Sequence, residues 1–127
     1  MIPRFRAYDS GSLCRMYSPS EVMVGDSCIW ILDEDSESNE WIVNNDLVLM
    51  QSTGLTDKNG KEIFEGDILG TKDGLLNGVV KFNIDLGMWT NSLLRYNNFE
   101  RLCSIANSRE IIGNIWEDPE LTEVNHD

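Results

Sequence analysis

The sequence predicts a mainly β protein: a small antiparallel barrel or roll over about residues 62–116, an N-terminal extension that contains strands, and at most one short helix. Three observations carry this. Residues 79–84 alternate, with Val80, Phe82 and Ile84 on one face and Val79, Lys81 and Asn83 on the other, the period of a half-buried strand. Reversals centred on glycine recur at intervals of roughly ten residues, at Gly60, Gly66, Gly74 to Gly78 and Gly87. Two apolar runs, Cys28–Leu32 and residues 47–51, have strand length and polar ends.

In chain order, residues 2–8 make a first strand with Phe5 and Ala7 on one face and Arg4 and Arg6 on the other, and Pro3 confines it to a strand start or a sheet edge. Asp9-Ser10-Gly11 turns the chain. The two apolar runs become inner strands. Asp57-Lys58-Asn59-Gly60-Lys61 is the sharpest local signal, because Asn-Gly accepts the positive φ angles that a tight reversal demands. Ile63-Phe64 passes through Glu65-Gly66-Asp67 into Ile68-Leu69, and a loop over residues 73–78 leads to the alternating strand. Asp85-Leu86-Gly87 then turns into Met88-Trp89-Thr90. Phe99, Leu102, Cys103 and Ala106 have helical spacing, so one or two helical turns are expected. Residues 111–116 close the fold as a strand, with Gly113 as a bulge or a point of close approach.

A length of 127 residues fits one domain over residues 1–127, and a 41% hydrophobic composition supplies its core. Asp and Glu number 22 against 10 Lys and Arg, a net charge of -12 that argues against direct nucleic-acid binding. The charge is uneven. Residues 1–16 carry +2, residues 17–50 hold eight acids and no base, and residues 117–127 carry -5. The run over residues 33–40 reads as a solvated loop, since like charges repel and resist burial. Glu117-Asp118-Pro119-Glu120 opens an acidic tail over 117–127 and reads as a short frayed end.

The N-terminus lacks the apolar stretch of roughly 7–15 residues that a secretory signal needs, and no segment approaches the roughly 20 that span a bilayer. The expectation is a cytoplasmic protein with no membrane association. Cys14, Cys28 and Cys103 are odd in number and widely spaced, which fits reduced thiols packed as small apolar residues.

No catalytic residue is assigned, because a serine or cysteine nucleophile needs a base and the only histidine, His126, lies in the acidic tail. Glu62, Glu65 and Asp67 form the densest carboxylate cluster on an ordered segment. They suit a divalent metal or acid/base chemistry, but a solvated turn with Asp67 bonding nearby amides explains them with less. The acidic run places Asp33, Asp35, Glu37 and Asn39 at calcium-loop positions yet has Ser38 and Asn44 where such a loop needs Gly and Glu. Gly66 to Lys72 lacks the order of a phosphate loop, so no cofactor is expected. Lys72, Lys81, Trp89, Arg95, Tyr96 and Arg101 are the candidates for a basic, aromatic binding face, weighed against a core role for Trp89 and scattered surface bases.

The stretch Leu49-Met50-Gln51-Ser52-Thr53-Gly54-Leu55-Thr56-Asp57-Lys58-Asn59-Gly60-Lys61-Glu62-Ile63-Phe64-Glu65-Gly66-Asp67-Ile68 resembles the hallmark of the YopX family of phage and prophage proteins. The opening Phe5-Arg6-Ala7-Tyr8-Asp9 and the closing Ile111-Ile112-Gly113-Asn114-Ile115-Trp116-Glu117-Asp118-Pro119-Glu120-Leu121 resemble that family's two ends. Ser52 stands where members commonly carry an aromatic residue after Met-Gln, and the acidic middle is this chain's own. The resemblance implies a largely β fold with an SH3-like barrel and a source in a bacteriophage or prophage. It implies no established activity, and it marks Gly54, Leu55, Asp57, Asn59, Gly60, Gly66, Asp67, Gly113 and Asn114 as motif positions of structural character. The expected function is a non-catalytic phage accessory protein that binds a host or phage protein. The alternatives are an acidic DNA mimic that occupies a DNA-binding protein and a metal-dependent enzyme using Glu62, Glu65 and Asp67; homo-oligomerisation is compatible with all three.

Overall fold

Gly11 donates its backbone N–H to Asp9 Oδ1 at 2.9 Å, and this side-chain turn reverses the chain between β1 (Phe5–Asp9) and β2 (Arg15–Tyr17). The computed structural model describes residues 4–11, 13–33, 37–38 and 40–123. Pro3, Asp35, Asn39 and His126, each of which entered the sequence reading, lie outside the described residues. The chain forms two compact units, Met1–Gln51 and Ser52–Asp127.

In the first unit a short 3-10 turn, Pro19–Glu21, leads to β3 (Val22–Gly25), β4 (Cys28–Leu32) and β5 (Trp41–Val43). These three strands make an antiparallel sheet in that order, with β4 central. β3 and β4 are joined by Asp26 and Ser27 alone, at φ +52° and +62°, the φ pattern of a type I′ hairpin. β6 (Val48–Thr56) begins in this unit, where residues 48–51 pair with β1. Ala7, Tyr17, Val22, Ile31 and Leu47 form the buried cluster, with Phe5, Ile29 and Leu49 packed against it. Cys28–Leu32 is the strand expected, and β4 and β6 are both inner strands as predicted. The sequence reading did not anticipate β2, β3 and β5.

In the second unit β6 continues and pairs with β7 (Glu62–Phe64). Between Ser52 and Thr56 the register shifts, and the Thr53 hydroxyl donates to the Ile63 carbonyl at 2.8 Å where the regular ladder is broken. Gly54 lies inside this bulge at φ +78°. The strands β8 (Asp67–Gly70), β9 (Gly78–Asn83), β10 (Met88–Leu93), β11 (Phe99–Arg101) and β12 (Glu110–Asn114) form an antiparallel sheet ordered β11-β10-β9-β8-β12, curled into a half-barrel. Its core is Ile63, Leu69, Val80, Leu102 and Ala106, with Leu55, Trp89, Ile105 and Ile111 packed around it. The mainly β architecture with one short helix is therefore as predicted.

Several local expectations are corrected. Val79 and Val80 are both buried, whereas Phe82 and Ile84 are exposed, Ile84 by 85%. The alternation fails because β9 is buried only as far as Val80: the strand leaves the core from Lys81 and ends at Asn83, and Ile84 belongs to the turn that follows. Phe99 is in a strand, and the helix is the single turn α1 (Leu102–Ile105), continued by a 3-10 turn over Ala106–Ser108. Leu102 and Ala106, four apart, share its buried face, and Cys103 turns outward. Cys14 is exposed too, so two of the three free cysteines do not serve as buried packing. The last strand stops at Asn114, because Asn114 Oδ1 accepts the N–H groups of Trp116 and Glu117 at 3.0 and 2.9 Å and bends the chain away. The segment read as frayed is held: Asp118 donates its N–H to the Asn114 carbonyl at 2.9 Å and accepts the Asn114 N–H at Oδ2.

Candidate functional site

The face of a strand follows from its parity, and in β4 the odd residues Ile29 and Ile31 point into the first unit's core. Cys28, Trp30 and Leu32 therefore share the opposite, outer face. Antiparallel register places Met23 and Val43 on either side of Trp30, and Trp41 beside Leu32, on that same face. Met23 is 48% exposed, Val43 45% and Trp41 39%. The Trp30 indole N–H donates to the Gly25 carbonyl at 3.2 Å, which fixes the ring across the sheet. An apolar face of two tryptophans, a methionine and aliphatic neighbours thus stands open on a segment whose residues 17–50 hold eight acids and no base.

The acidic run is the connection from β4 to β5. Asp33 donates its N–H to the Glu40 carbonyl at 2.7 Å, extending the ladder, and the Ser38 hydroxyl reaches Glu40 Oε1 at 3.0 Å. Asp33 and Glu40 therefore lie at one end of the strands that carry the apolar face.

The carboxylates Glu62, Glu65 and Asp67 are separated by their elements. Asp67 is buried and accepts the Phe64 N–H at 2.8 Å, whereas Glu65 is exposed in the turn. Among the described residues no group of three His, Cys, Asp or Glu side chains is arranged to hold a metal ion. Lys81 and Arg101 flank Thr90 in register across β9, β10 and β11, so both lie on the face opposite Trp89. Trp89 meets the Phe82 ring edge-on at 5.2 Å between centroids and packs on the core. Arg95 and Tyr96 are exposed in the β10–β11 loop, so the basic and aromatic candidates do not share one face. Lys72 lines a cavity of about 560 Å³ with Lys58, Thr71, Ser108, Glu110 and Ile112. There Lys58 Nζ lies 3.7 Å from Glu110, so one of its two ammonium groups already has a counter-charge.

The motif residues organise the second unit. Asp57 Oδ1 accepts the N–H groups of Asn59 and Lys61, both at 2.9 Å, and Gly60 takes φ +81° in the reversal. Burial alone would raise the Asp57 pKa. The N–H bonds from Ile111, Lys61 and Asn59 and the Lys61 charge outweigh it and hold the carboxyl below its ordinary range. Asn59 Nδ2 reaches Glu110 Oε1 at 3.5 Å, and Leu55 packs on the core. Gly66 donates its N–H to the Val80 carbonyl and accepts from the Ile115 N–H, both at 2.9 Å. Gly113 sits at a register shift in β12, and a Cβ there would stand 2.6 Å from Asp118 Oδ2, which is the close approach its place in the sequence suggested.

The apolar outer face was missed in the sequence because Cys28–Leu32 reads as a strand buried on both sides. The signal that finds it is Trp41-Ile42-Val43, a charge-free triplet directly after an acidic run, which leaves β4 with an apolar neighbour on each side.

Among the described residues no helix is long and apolar enough to cross a membrane. No curated protein sequence matches the chain. Among solved structures it is similar to the protein EF1440 from Enterococcus faecalis, at 28% identity and a TM-score of 0.59, covering 97% of this chain and 99% of that one. It is also similar to the YopX protein from Bacillus subtilis, at 16% identity and a TM-score of 0.59, covering 94% and 98% respectively. The family model described as YopX protein matches residues 4–123, spanning the motif turn, the curled sheet and the Asn114 bend, and the chain belongs to the YopX family.

Proposed function

We propose that this chain is a non-catalytic binding module, an accessory protein of a phage or prophage that engages a basic host or phage protein through the outer face of β3, β4 and β5. The single observation that supports the reading is the row of half-buried Trp30 between exposed Met23 and Val43, with exposed Trp41 beside it, an apolar face of the kind that marks interaction sites. The eight acids and absent bases of residues 17–50 give the face its choice of partner: they speed the encounter with a basic surface and repel acidic ones. The acids of residues 33–40 are thereby given a role that does not require their burial. The phage setting rests on the three sequence blocks shared with the family, and a cytoplasmic site of action suits three free thiols.

The test compares capture from bacterial lysate by the folded wild type and by the Trp41→Ser/Val43→Ser variant at matched melting temperature. A basic protein held by the wild type and lost from the variant is the expected result. Capture that survives in the variant but vanishes on neutralising Asp33, Glu37 and Glu40 assigns the chain to the DNA mimics instead, and capture indifferent to both changes removes this face from the function.

A further inference from the structure

β5 is three residues long, and the way its peptide groups point can be read from two hydrogen bonds. Asp33 donates to the Glu40 carbonyl at 2.7 Å and Asn44 donates to the Ile29 carbonyl at 2.9 Å. With the register Trp30↔Val43, Ile31↔Ile42 and Leu32↔Trp41, the hydrogen-bonded pairs with β4 are those of residues 40, 42 and 44. The N–H and C=O groups of Trp41 and Val43 therefore point away from β4, to the outer edge of the sheet. Among the described residues no strand pairs with that edge.

Proteins ordinarily blunt such an edge with a very short strand, a charge, a proline or a bulge. This one has only the first, being three residues long: its sequence is Trp41-Ile42-Val43, its pairing with β4 is regular, and all three side chains are exposed, by 39%, 41% and 45%. Ile42, though on the inner side by parity, is open as well, so the edge can be approached from either face. A strand laid along it would satisfy two N–H and two C=O groups and would place alternate side chains beside Trp41 and Val43.

The charge decides between occupants. A second copy would bring its own eight acids of residues 17–50 against the same eight, whereas a basic segment meets a net negative field, since Arg15 pairs with Glu21 but residues 1–16 carry only +2 against the -8 of residues 17–50. We infer that the free edge of β5 accepts an extended, lysine- or arginine-rich segment of the partner as a fourth strand of the β3–β4–β5 sheet, its apolar residues alternating with basic ones. This rests on the outer-face reading of the function and adds to it the backbone mode of recognition and the chemistry of the segment.

The experiment uses the full chain, with two nine-residue probes, one alternating lysine with valine and one alternating glutamate with valine, followed by amide hydrogen exchange and NMR titration. The lysine probe should slow exchange at the Trp41 and Val43 amides about ten-fold or more at saturation, weaken with salt, and have no counterpart in the glutamate probe. Val43→Pro removes one outward N–H and should weaken the lysine probe about ten-fold, whereas Val43→Ala, which keeps the N–H, should weaken it by no more than about three-fold. If Val43→Pro does not fold, the exchange measurement on the wild type decides alone. Binding of the lysine probe without protection at Trp41 and Val43 overturns strand addition and leaves the outer-face reading standing, since lysate capture and its loss in Trp41→Ser/Val43→Ser do not depend on it. Equal binding of both probes overturns the basic segment. Concentration-dependent protection without any probe assigns the edge to a second copy, and no binding of either probe removes the inference.

Discussion

Asp57 Oδ2 accepts the backbone N–H of Ile111 at 3.0 Å, a bond across 54 positions of sequence that ties the Asn59-Gly60 reversal to β12. The same carboxylate holds the turn through its other oxygen, and Lys58 donates its N–H to the Arg109 carbonyl at 2.9 Å beside it. Asp57→Asn can keep the turn bonds at its oxygen but turns an amide N–H₂ toward the Ile111 N–H, two donors face to face. The expected loss is about 1–3 kcal/mol at neutral pH, read from urea midpoints. Because the folded carboxyl is held below its ordinary range, its contribution is whole above an unfolded pKa of about 3.9 and fades as pH falls through the folded value. The gap between wild type and Asp57→Asn should therefore close below about pH 4. A gap that stays constant from neutral pH into that acidic range would show that the charge on Asp57 contributes nothing.

Arg109 donates to Glu100 through its two terminal guanidinium nitrogens, Nη1 and Nη2, at 2.5 and 2.8 Å, with the Arg109 side chain 9% exposed. The Arg109 hydrogen bonds come first in holding the Glu100 pKa down, against burial that raises it, and Asn91 Nδ2 adds a further bond at 3.1 Å. Glu100→Gln removes the counter-charge and leaves a buried guanidinium, so a loss of about 3 kcal/mol is expected. Thermal melting checks it, and a loss no larger than that of an exposed surface pair would refute the coupling.

Gly78 leaves room for the Asn91 amide across the β9–β10 pair. A Cβ on Gly78 would stand 2.8 Å from Asn91 Cγ and 2.7 Å from the Ser92 carbonyl oxygen. Gly78→Ala should cost about 1–3 kcal/mol through overpacking, with part of the cost relieved in an Asn91→Ala background and the remainder due to the backbone contact. Additive effects in the double variant would count against this account.

Asp26 and Ser27 hold positive φ without a glycine, a conformation that costs side chains free energy. Asp26→Asn with Ser27→Gly supplies the preferred residues of the type I′ turn and should raise stability by about 1 kcal/mol. A lower melting temperature for this variant would show that the native pair is held by something beyond the turn.

What the sequence by itself determined was local. Asn59-Gly60 specified a reversal, Cys28–Leu32 a strand, and Gly113 a close approach, because in each case the allowed φ angles or the side-chain period belong to the residues concerned. Burial was different. Val80 and Phe82 carry the same signal in the same alternating strand, yet only Val80 meets Leu69, Leu102 and Ala106, residues brought to it by other elements. The acidic run was legible as charge, but the apolar face beside it was not, since nothing in Cys28–Leu32 says which of its two sides will be covered. Only the tertiary structure decided that Ile29 and Ile31 face the core and Trp30 does not, and that among the described residues β5 is the edge strand of its sheet. The reason is physical: a strand's alternation fixes two faces, and which of them is removed from water depends on the elements that pack against it.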